Sequence, residues 1–306
     1  MAQESKILIV GDLLIDSTHY VEVTKLSPEA PVPVAMLTGE AIETPGGAGL
    51  AAALASKDNI PFILCTYTNK TRAQWLKDAY CMDIISGELG EYGKSNAIKT
   101  RYVDVESKYH LLRVDSDMIV DPPMQDIRQE DIWVSEIEEY IKNNKVAAIT
   151  ILDYNKGLLS KTRPQRLISI AKLNNIPVYV DSRSKNLDKF FGSDILKLNE
   201  KEFSAACSQY NIDSSPERLA SILNVHNIII TKGARGADIF PLGISVIPST
   251  HEGSPDVTGC GDVFDVTFCY NYYIKKEAIE IALQNAVDRA TRFAYEPIGE
   301  RLNCQN

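Results

Sequence analysis

The sequence predicts an α/β fold in which helices cover both faces of a mostly parallel sheet. Short apolar runs, many of them rich in β-branched residues, recur along the 306 residues of the chain. They are KILIV (6–10), PFILCTY (61–67), AAITILD (147–153), PVYVD (177–181), DILKLN (194–199) and NIIIT (227–231). Helical patterns lie between them, and this alternation is typical of a parallel sheet buried on both sides.

The helices are predicted by their start signals and by one apolar face. Pro164 suits the first turn of a helix over RLISIAKLN, and Ser215-Pro216 suits the start of a helix over ERLASILN. Near the C-terminal end, apolar residues recur with the spacing of one helix face. They are Ile279, Ala282, Leu283, Ala286, Val287, Ala290 and Ala294.

Two segments, residues 17–42 and 97–116, break this rhythm. Both show partial strand-like alternation, and neither contains a helical pattern between its halves. We expect them to form a small antiparallel β lid outside the main sheet. The absence of internal repeats and obvious linkers predicts a single domain over residues 1–306.

The composition limits the classes of function. The chain is 44% hydrophobic and has a formal net charge of −9, which argues against a broad nucleic-acid-binding surface. A local cationic pocket for a phosphorylated metabolite remains compatible with this charge. No stretch is long and apolar enough to span a bilayer, so we expect no membrane partner.

The cysteines indicate a reducing environment. None forms a CxxC pair or a Cys/His cluster with zinc spacing, and the start MAQESKILIV lacks the features of a signal peptide. We therefore expect reduced thiols in a cytoplasmic protein. The cysteines are Cys65, Cys81, Cys207, Cys260, Cys269 and Cys304.

The segment DVTGCGDVFD (256–265) predicts a helix start that could bind a phosphoryl group. The first N–H groups of a helix have no partners inside it, and glycines let an anion approach them closely. Asp262 would lie where a carboxylate can accept a proton from a hydroxyl. The alternative is structural, because Thr258 could cap the helix while Asp262 complements its dipole.

Three further pairs of residues also allow a structural alternative. They are Asn199 with Glu202, Thr231 with Gly233, and Gly46 with Gly47. The first pair has the spacing of a capping box. The second pair lies at a strand end where a hairpin would turn, and the third precedes a helix whose small residues favour close packing.

Polar residues at several strand ends favour the functional interpretation. In open α/β sheets, ligands bind at the carboxyl ends of the strands. Four polar residues each end a separate apolar run, so they can converge on one cleft. They are Asp153, Asp181, Asn199 and Thr231.

Over nearly its whole length, the sequence resembles the ribokinase-like (PfkB) carbohydrate kinases. The motifs that carry this resemblance are GDLLID (11–16), SPEAPVPV (27–34), PGGAG (45–49), HLLRVD (110–115), DYNKGLLS (153–160), the segment around Asp181, LNEKEF (198–203), TKGARG (231–236) and DVTGCGD (256–262). Among them, SPEAPVPV and DYNKG favour the branch of the family that phosphorylates heptose 7-phosphate at its anomeric oxygen in ADP-heptose synthesis.

The resemblance implies a role for each matching position. Asp262 matches the catalytic base, and the backbone N–H groups of Gly259, Cys260 and Gly261 match the anion hole. ATP and Mg²⁺ are the implied cofactors, and Glu202 would act on the metal through water. The cofactor-binding positions are Asn199, Glu202, Thr231, Gly233 and Asn285. The substrate-binding positions are Asp16, Gly46, Gly47 and Asp153, with Lys156 and Arg183 for the substrate phosphate.

The chain departs from the family pattern at several positions. Relatives usually carry Asn where this chain has Leu50, which affects the sugar site. Cys260 replaces an alanine between the two glycines, and Arg183 replaces a lysine. The segment CTYTNKTRAQWLKDAY (65–80) lacks the usual Gly/Asp-rich turn.

The resemblance also implies partners. In relatives the lid contributes to a dimer, so we expect a homodimer formed through the lid. The nucleotidyltransferase half of bifunctional relatives has no counterpart in these residues, so we expect a separate protein to supply that step.

The predicted function is ATP-dependent phosphorylation of a heptose 7-phosphate or a similar phosphorylated sugar. One alternative is a kinase of the same family for another sugar or a nucleoside, which Leu50 suggests. Another is a nucleotide- or sugar-binding protein with weakened catalysis.

Overall fold

The computed structural model describes residues 4–88, 96–116, 127–159, 162–251, 253–297 and 301–302, with side chains in 127–143 described from residue 132 onward. Cys304 lies outside the described residues. So does Ser160, which is the last residue of the DYNKGLLS motif. The cysteines within them, Cys65, Cys81, Cys207, Cys260 and Cys269, are unpaired.

The described strands and helices alternate as the apolar runs predict. The strands are β1 (Lys6–Gly11), β2 (Leu13–Leu26), β3 (Pro33–Leu37), β4 (Ile42–Gly47), β5 (Phe62–Thr68), β6 (Ile84–Glu88), β7 (Ala97–Asp104), β8 (His110–Ser116), β9 (Val146–Asp153), β10 (Val178–Ser182), β11 (Ile195–Asn199), β12 (Asn227–Thr231), β13 (Ala237–Phe240) and β14 (Ile244–Val246). The helices are α1 (Ala48–Lys57), α2 (Lys70–Tyr80), α3 (Ile127–Asn143), α4 (Arg163–Leu173), α5 (Glu200–Gln209), α6 (Pro216–Leu223), α7 (Cys260–Cys269) and α8 (Ile279–Tyr295), and a π-helical turn (Tyr270–Ile274) follows α7.

The main sheet has the strand order β14-β13-β12-β11-β10-β9-β1-β5-β6. Strands β12 to β6 along this order run parallel, and β13 and β14 extend the sheet with antiparallel pairing. Every apolar run of the sequence analysis is one of the parallel strands. This ribokinase-like α/β fold with a mostly parallel sheet confirms the predicted fold class.

The two faces of the main sheet bury different residues of the same strands. Along β1, Ile7 and Ile9 pack into the cluster that contains α1, α7 and α8. Leu8 and Val10 point to the opposite face, where they pack against α3, α4 and α6. Successive side chains of a strand point to opposite faces, so an uninterrupted apolar run is what a sheet between two helix layers requires.

The second sheet contains the two segments predicted to form the lid. Its order is β3-β2-β7-β8, and β4 also pairs with β2. The β2–β3, β2–β4 and β7–β8 pairs are antiparallel as predicted, whereas the central β2–β7 pair is parallel. Strand β2 starts at Leu13, directly after β1, so the second sheet grows out of the edge of the main sheet where the parallel strands end.

Asp12 joins the two sheets to the loop that follows β9. Its carboxylate accepts N–H groups from Tyr154, Lys156 and Leu158 at 3.0, 3.1 and 3.0 Å. Burial raises the pKa of Asp12 to about 6, although these hydrogen bonds oppose the increase. The loop that carries Tyr154 and Lys156 is therefore fixed against the junction of β1 and β2. None of the helices within the described residues is long and apolar enough to cross a membrane.

Candidate active site

The start of α7 is open to a ligand. Gly259 is its N-cap with a φ of 82°, and no side chain caps the helix. Capping by Thr258, the structural alternative, is therefore wrong, because its side-chain oxygen accepts no N–H group of the first turn. The positive φ explains the glycine, since other residues rarely adopt it. The Cys260 N–H group donates to the backbone oxygen of Val257 at 3.2 Å, and the N–H groups of Gly259 and Gly261 remain available to bind an anion.

Asp262 lies in this first turn and is 5% exposed. The hydroxyl group of Tyr154 donates a hydrogen bond to its Oδ1. Burial raises the pKa of Asp262 from 3.8 to about 6, while Tyr154, Arg183 and Lys197 lower it. The carboxylate is therefore both enclosed and basic enough to accept a proton near neutral pH.

A buried cation lies behind the helix start. Lys197 Nζ is 2.8 Å from Asp181 Oδ2 and 3.0 Å from Asp265 Oδ1. A Cβ atom on Gly261 would lie 3.4 Å from the same Nζ atom. Burial alone would lower the pKa of Lys197, but the two carboxylates raise it above its usual value. The ammonium group therefore adds a fixed positive charge beside the anion-binding amides.

The Asn199–Glu202 pair forms a capping box, as its structural alternative predicts. Asn199 Oδ1 accepts the N–H groups of Lys201 and Glu202, and Glu202 accepts the N–H group of Asn199 at 2.8 Å. Burial raises the pKa of Glu202. The carboxylate is thus held in place at the strand end, and the capping role does not remove it from the site.

The Thr231–Gly233 pair also fits both its structural and its functional interpretation. β12 pairs with β13 as a hairpin, and Gly233 has a φ of +58° in the connecting turn. Both residues line a cavity of about 610 Å³ beside the start of α7. Thr231 is the register partner of Asn199, so these two strand ends lie side by side as predicted.

The cavity is mostly apolar and has the size of a small-molecule site. One wall contains His251 and Tyr295, whose rings stack with centroids 5.3 Å apart. On α8, the described lining residues are Val287, Ala290, Thr291, Ala294 and Tyr295. Asn285 is not among them, and its side chain instead donates to Glu277 at 2.9 Å. Sequence analysis missed the His251–Tyr295 wall because the two rings are far apart in the chain.

The predicted sugar-side positions lie near Tyr154, the hydrogen-bond partner of Asp262. Gly46 is close to Asp16, because a Cβ atom on this glycine would lie 2.6 Å from Asp16 Oδ2. A Cβ atom on Gly47 would lie 3.4 Å from the ring of Tyr154. Side chains at either glycine would fill the space beside these groups. The structure therefore brings Asp16, both glycines and the partner of Asp262 together.

Cations from both sheets surround this side of the site. Asp16 Oδ1 is 2.5 Å from the guanidinium group of Arg101. Lys99 has its pKa lowered by burial and by the positive charges of Arg183, Lys156 and Arg101, although Asp16 opposes the effect. Arg183, Lys156, Arg101 and the Asp16 carboxylate thus lie close enough to Lys99 to influence its charge. These cations are the candidates for the local cationic pocket that the composition allows.

Lys99 and Arg101 are functional candidates that sequence analysis missed. They lie two residues apart on β7, so they share one face of the second sheet. In the sequence they read only as two charges in the lid. Their pairing with β2, where Asp16 is the register partner of Lys99, is what reveals them. Arg183, which was predicted, lies with its guanidinium carbon 4.3 Å from the centre of the Tyr154 ring.

The predicted substrate contact of Asp153 stays a prediction, and the structure shows that this carboxylate has several partners within the chain. Asp153 is buried, with Oδ2 2.7 Å from Lys189 Nζ and accepting from the Ser182 hydroxyl at 2.8 Å. Its Oδ1 accepts the N–H group of Asn155 at 3.0 Å. These partners hold the loop after β9 in place. The backbone oxygen of Asp153 also accepts the N–H group of Arg183.

Leu50 lies at the border between the two halves of the site. A Cβ atom on Gly259 would lie 3.0 Å from Leu50 Cδ2. An apolar side chain therefore packs against the start of α7 at a position where relatives usually carry an amide. Within the described residues, no group of three or more His, Cys, Asp or Glu side chains could hold a metal ion alone.

The fold and the site define a ribokinase-like kinase, in which strand ends and a helix start face a cavity. The sequence model of the pfkB family of carbohydrate kinases matches residues 92–294, and the chain belongs to that family. Its enzyme class is therefore that of a carbohydrate kinase, as the motifs predicted.

The chain is similar to curated relatives from several bacteria. It is 29% identical over 275 residues to the bifunctional protein HldE of Campylobacter jejuni serotype O:2, covering 87% of this chain and 57% of that protein. It is 27% identical over 285 residues to the HldE of Methylobacillus flagellatus, covering 85% and 54%. The chain thus spans little more than half the length of these relatives.

Solved structures support the fold alone. The ribokinase of Arabidopsis thaliana complexed with ribose and ATP has a TM-score of 0.71 at 14% identity, covering 96% of this chain and 93% of that one. The tetrameric inhibited form of phosphofructokinase-2 from Escherichia coli has a TM-score of 0.71 at 15% identity, covering 95% and 94%.

The raised pKa of Asp262 predicts a pH-dependent effect of Asp262→Asn on stability. Because the folded pKa of about 6 exceeds the usual 3.8, the wild type loses stability as pH rises from about 4 to 6, whereas Asn does not titrate. The free energy of unfolding of Asp262→Asn relative to wild type should rise by about 2 kcal/mol across this window. Urea unfolding at several pH values measures this difference.

The control is Asp213→Asn, which removes an exposed carboxylate paired with Arg218. A difference between Asp262→Asn and wild type that stays constant from pH 4 to 7 would contradict the expected burial of the charge.

Proposed function

We propose that this carbohydrate kinase transfers the γ-phosphoryl group of ATP to a hydroxyl of a phosphorylated sugar. The observation that carries the proposal is the enclosed Asp262 carboxylate at the start of α7, next to Gly261, which lines the cavity, and within reach of the charges of Arg183 and Lys197. Base, anion-binding amides and substrate-phosphate cations are the parts that phosphoryl transfer between two phosphorylated compounds requires.

ATP would bind in the cavity beside α7. The stacked His251 and Tyr295 offer an aromatic wall, and Thr231 and Gly233 lie where the nucleotide phosphates would approach the helix start. Mg²⁺ is bound in kinases by few protein oxygens, together with water and substrate phosphates. Glu202, held by its capping box, fits such an indirect role, and the metal would neutralise charge on the phosphates when bound.

Asp262 would act as the base. The acceptor hydroxyl gives its proton to Asp262 while its oxygen forms a bond to the γ-phosphorus. The bond between that phosphorus and the β–γ bridging oxygen breaks, and ADP leaves. The N–H groups of Gly259 and Gly261, with Lys197 behind them, would stabilise the negative charge on the moving group.

The phosphate of the acceptor would bind the cationic pocket. The positive charges of Arg183, Lys156 and Arg101 act on Lys99, and a dianionic phosphate bound among these four cations would relieve their repulsion. Asp16, Gly46 and Gly47 would then contact the sugar hydroxyls. This arrangement favours a sugar phosphate over an uncharged sugar.

Heptose 7-phosphate, phosphorylated at its anomeric oxygen O1, is the acceptor we propose. The DYNKG motif places Tyr154, the partner of Asp262, and Lys156, a member of the cationic pocket. The relatives named HldE and the motif SPEAPVPV support the same branch. Leu50 beside Gly259 favours the second candidate, which is another phosphorylated sugar, because it removes an amide that sugars commonly bind.

In this proposal residues 1–306 form one kinase domain, with the lid in residues 17–42 and 97–116. The second sheet exposes a set of large apolar side chains, which are Leu26, Met36, Leu37, Ile42, Tyr109, Leu111, Leu112 and Val114. A monomer rarely leaves such a set uncovered. We therefore propose a homodimer through the lid, in a cytoplasmic enzyme with reduced thiols.

Asp262→Asn should lower kcat by about 10²- to 10⁴-fold, because the amide cannot accept the proton. The test incubates wild type and variant with ATP, Mg²⁺ and heptose 7-phosphate, and phosphorus NMR identifies the product. Circular dichroism and ATP titration confirm that the variant folds and binds nucleotide. Near wild-type turnover of the variant would reject the base, and activity only on another acceptor would reject the heptose.

Lys99→Met should raise KM for a phosphorylated acceptor by about 10- to 100-fold, since a charge-assisted hydrogen bond to phosphate is lost. The effect on kcat should be small, because the phosphate is remote from the transferred group. Steady-state assays of ADP release measure both. Lys25→Met, at an exposed lysine on β2, is the control. An equal KM increase in both variants would contradict the pocket.

Leu112→Asp should shift the protein from dimer to monomer, because a charge cannot be buried in an apolar interface without cost. Leu112 is 57% exposed in the single chain. Light scattering over a range of protein concentrations measures the mass. Leu173→Asp, at a residue of α4 that is 84% exposed, is the control. A monomeric wild type would refute the proposed dimer.

A further inference from the structure

Arg301 lies behind the loop that leads into α7 and is 6% exposed. Its Nε donates to the backbone oxygen of Glu296 at 3.1 Å, and one terminal nitrogen donates to the backbone oxygens of Asp256 and Ala294 at 3.0 and 3.1 Å. The other terminal nitrogen is 2.9 Å from Asp256 Oδ2 and 3.4 Å from the backbone oxygen of Thr258. Oxygens from two separate chain segments thus converge on one guanidinium group.

These contacts determine which way the amides of the loop point. A trans peptide unit is planar, so its C=O and N–H bonds point in opposite directions. Arg301 holds the carbonyl oxygen of Thr258, and the N–H group of Gly259 in the same peptide unit must therefore point away from Arg301. In the same way, the carbonyl oxygen of Asp256 directs the N–H group of Val257. The arginine side and the amide side of the loop are opposite by covalent geometry.

The orientation needs such a restraint. Gly259 has a φ of 82°, and glycine allows many backbone conformations, so this peptide unit is not fixed by its own side chain. The loop has a second restraint in the hydrogen bond from the Thr258 N–H group to Asp256 Oδ1, at 3.0 Å. Arg301 also binds the carboxylate of Asp256, so the same carboxylate takes part in the restraint by Arg301 and in the restraint by the Thr258 N–H group.

The guanidinium group is itself held firmly. Its carbon lies 4.7 Å from the centre of the Phe293 ring, and a Cβ atom on Gly259 would lie 3.3 Å from that ring. Lys57 donates to the backbone oxygen of Arg301 at 3.2 Å. A buried guanidinium with planar, directional donors is suited to fixing several oxygens at once.

We propose that Arg301 is a positioning residue for phosphoryl transfer, which holds the Asp256–Gly259 loop so that the N–H group of Gly259 faces the moving phosphoryl group. This inference rests on the proposed function of the start of α7. Arg301 lies on the opposite side of the loop from the amides, so it acts through the backbone and does not contact the substrate.

Arg301→Ala should lower kcat by about 10²-fold, the usual effect of losing one anion-stabilising donor, while KM for heptose 7-phosphate changes less than about threefold. Guanidinium chloride at low millimolar concentration should restore part of kcat, because the free ion can occupy the vacated space. Arg301→Lys, which keeps the charge but loses the planar donors, should fall between alanine and wild type.

The matched control is Arg289→Ala. Arg289 lies on α8 with a partly buried side chain, and it binds Asp58 and Glu296. The Arg289→Ala variant should have a lower unfolding midpoint. It should show no loss of kcat that guanidinium can restore. A purely structural role for Arg301 would make the two alanine variants alike, which would overturn the proposal.

A second measurement does not depend on the acceptor sugar. Calorimetry compares the binding of ADP with that of ADP plus tetrafluoroaluminate, a probe of the transferring phosphoryl group. Arg301→Ala should weaken the second at least about tenfold more than the first. If Arg301→Ala weakens the binding of ADP and of ADP plus tetrafluoroaluminate equally, the proposal is overturned. If Arg301→Ala fails to fold, Arg301→Lys is subjected to the same comparison.

Parallel assays of Asp262→Asn separate the two levels of inference. If Asp262→Asn retains turnover, the proposed function fails. If Asp262→Asn loses turnover but Arg301→Ala behaves like Arg289→Ala, only the positioning role fails.

Discussion

The site depends on keeping one carboxylate charged in a place that disfavours charge. Burial raises the pKa of Asp262 to about 6, and full enclosure without partners would raise it further. The hydroxyl group of Tyr154 and the cations Arg183 and Lys197 oppose that increase. Each of these partners comes from a different strand or strand end of the main sheet, so the parallel order of the strands is what assembles them.

The two sheets contribute different parts of the site. The main sheet supplies Asp262, its partners and the cavity beside α7, all of which are tied to the packed core. The second sheet supplies Lys99 and Arg101 on β7 and places them beside Asp16 on β2. Because β2 continues directly from β1, a movement of the second sheet would shift these cations relative to Asp262.

The sequence predicted the features that local pattern determines. Apolar runs give the strands, and polar residues at their ends, such as Asn199 and Thr231, lie together because parallel strands end at the same edge. Lys99 and Arg301 escaped prediction because a charge acquires its meaning from tertiary partners, which sequence spacing does not show. The buried ion pair of Asp153 with Lys189 escaped prediction for the same reason, since a polar strand-end position does not reveal its partner.

Functional and structural explanations of a motif need not compete, as the two helices α5 and α7 show. Asn199 caps α5, so its side chain uses the first N–H groups of that helix and Glu202 completes the box. The start of α7 has Gly259 in the capping position, and no side chain uses its N–H groups. Both helices carry a positive dipole end, but at α7 the N–H groups of Gly259 and Gly261 are left for an outside anion. The capped helix therefore supplies a fixed carboxylate, and the uncapped helix supplies the proposed phosphoryl site.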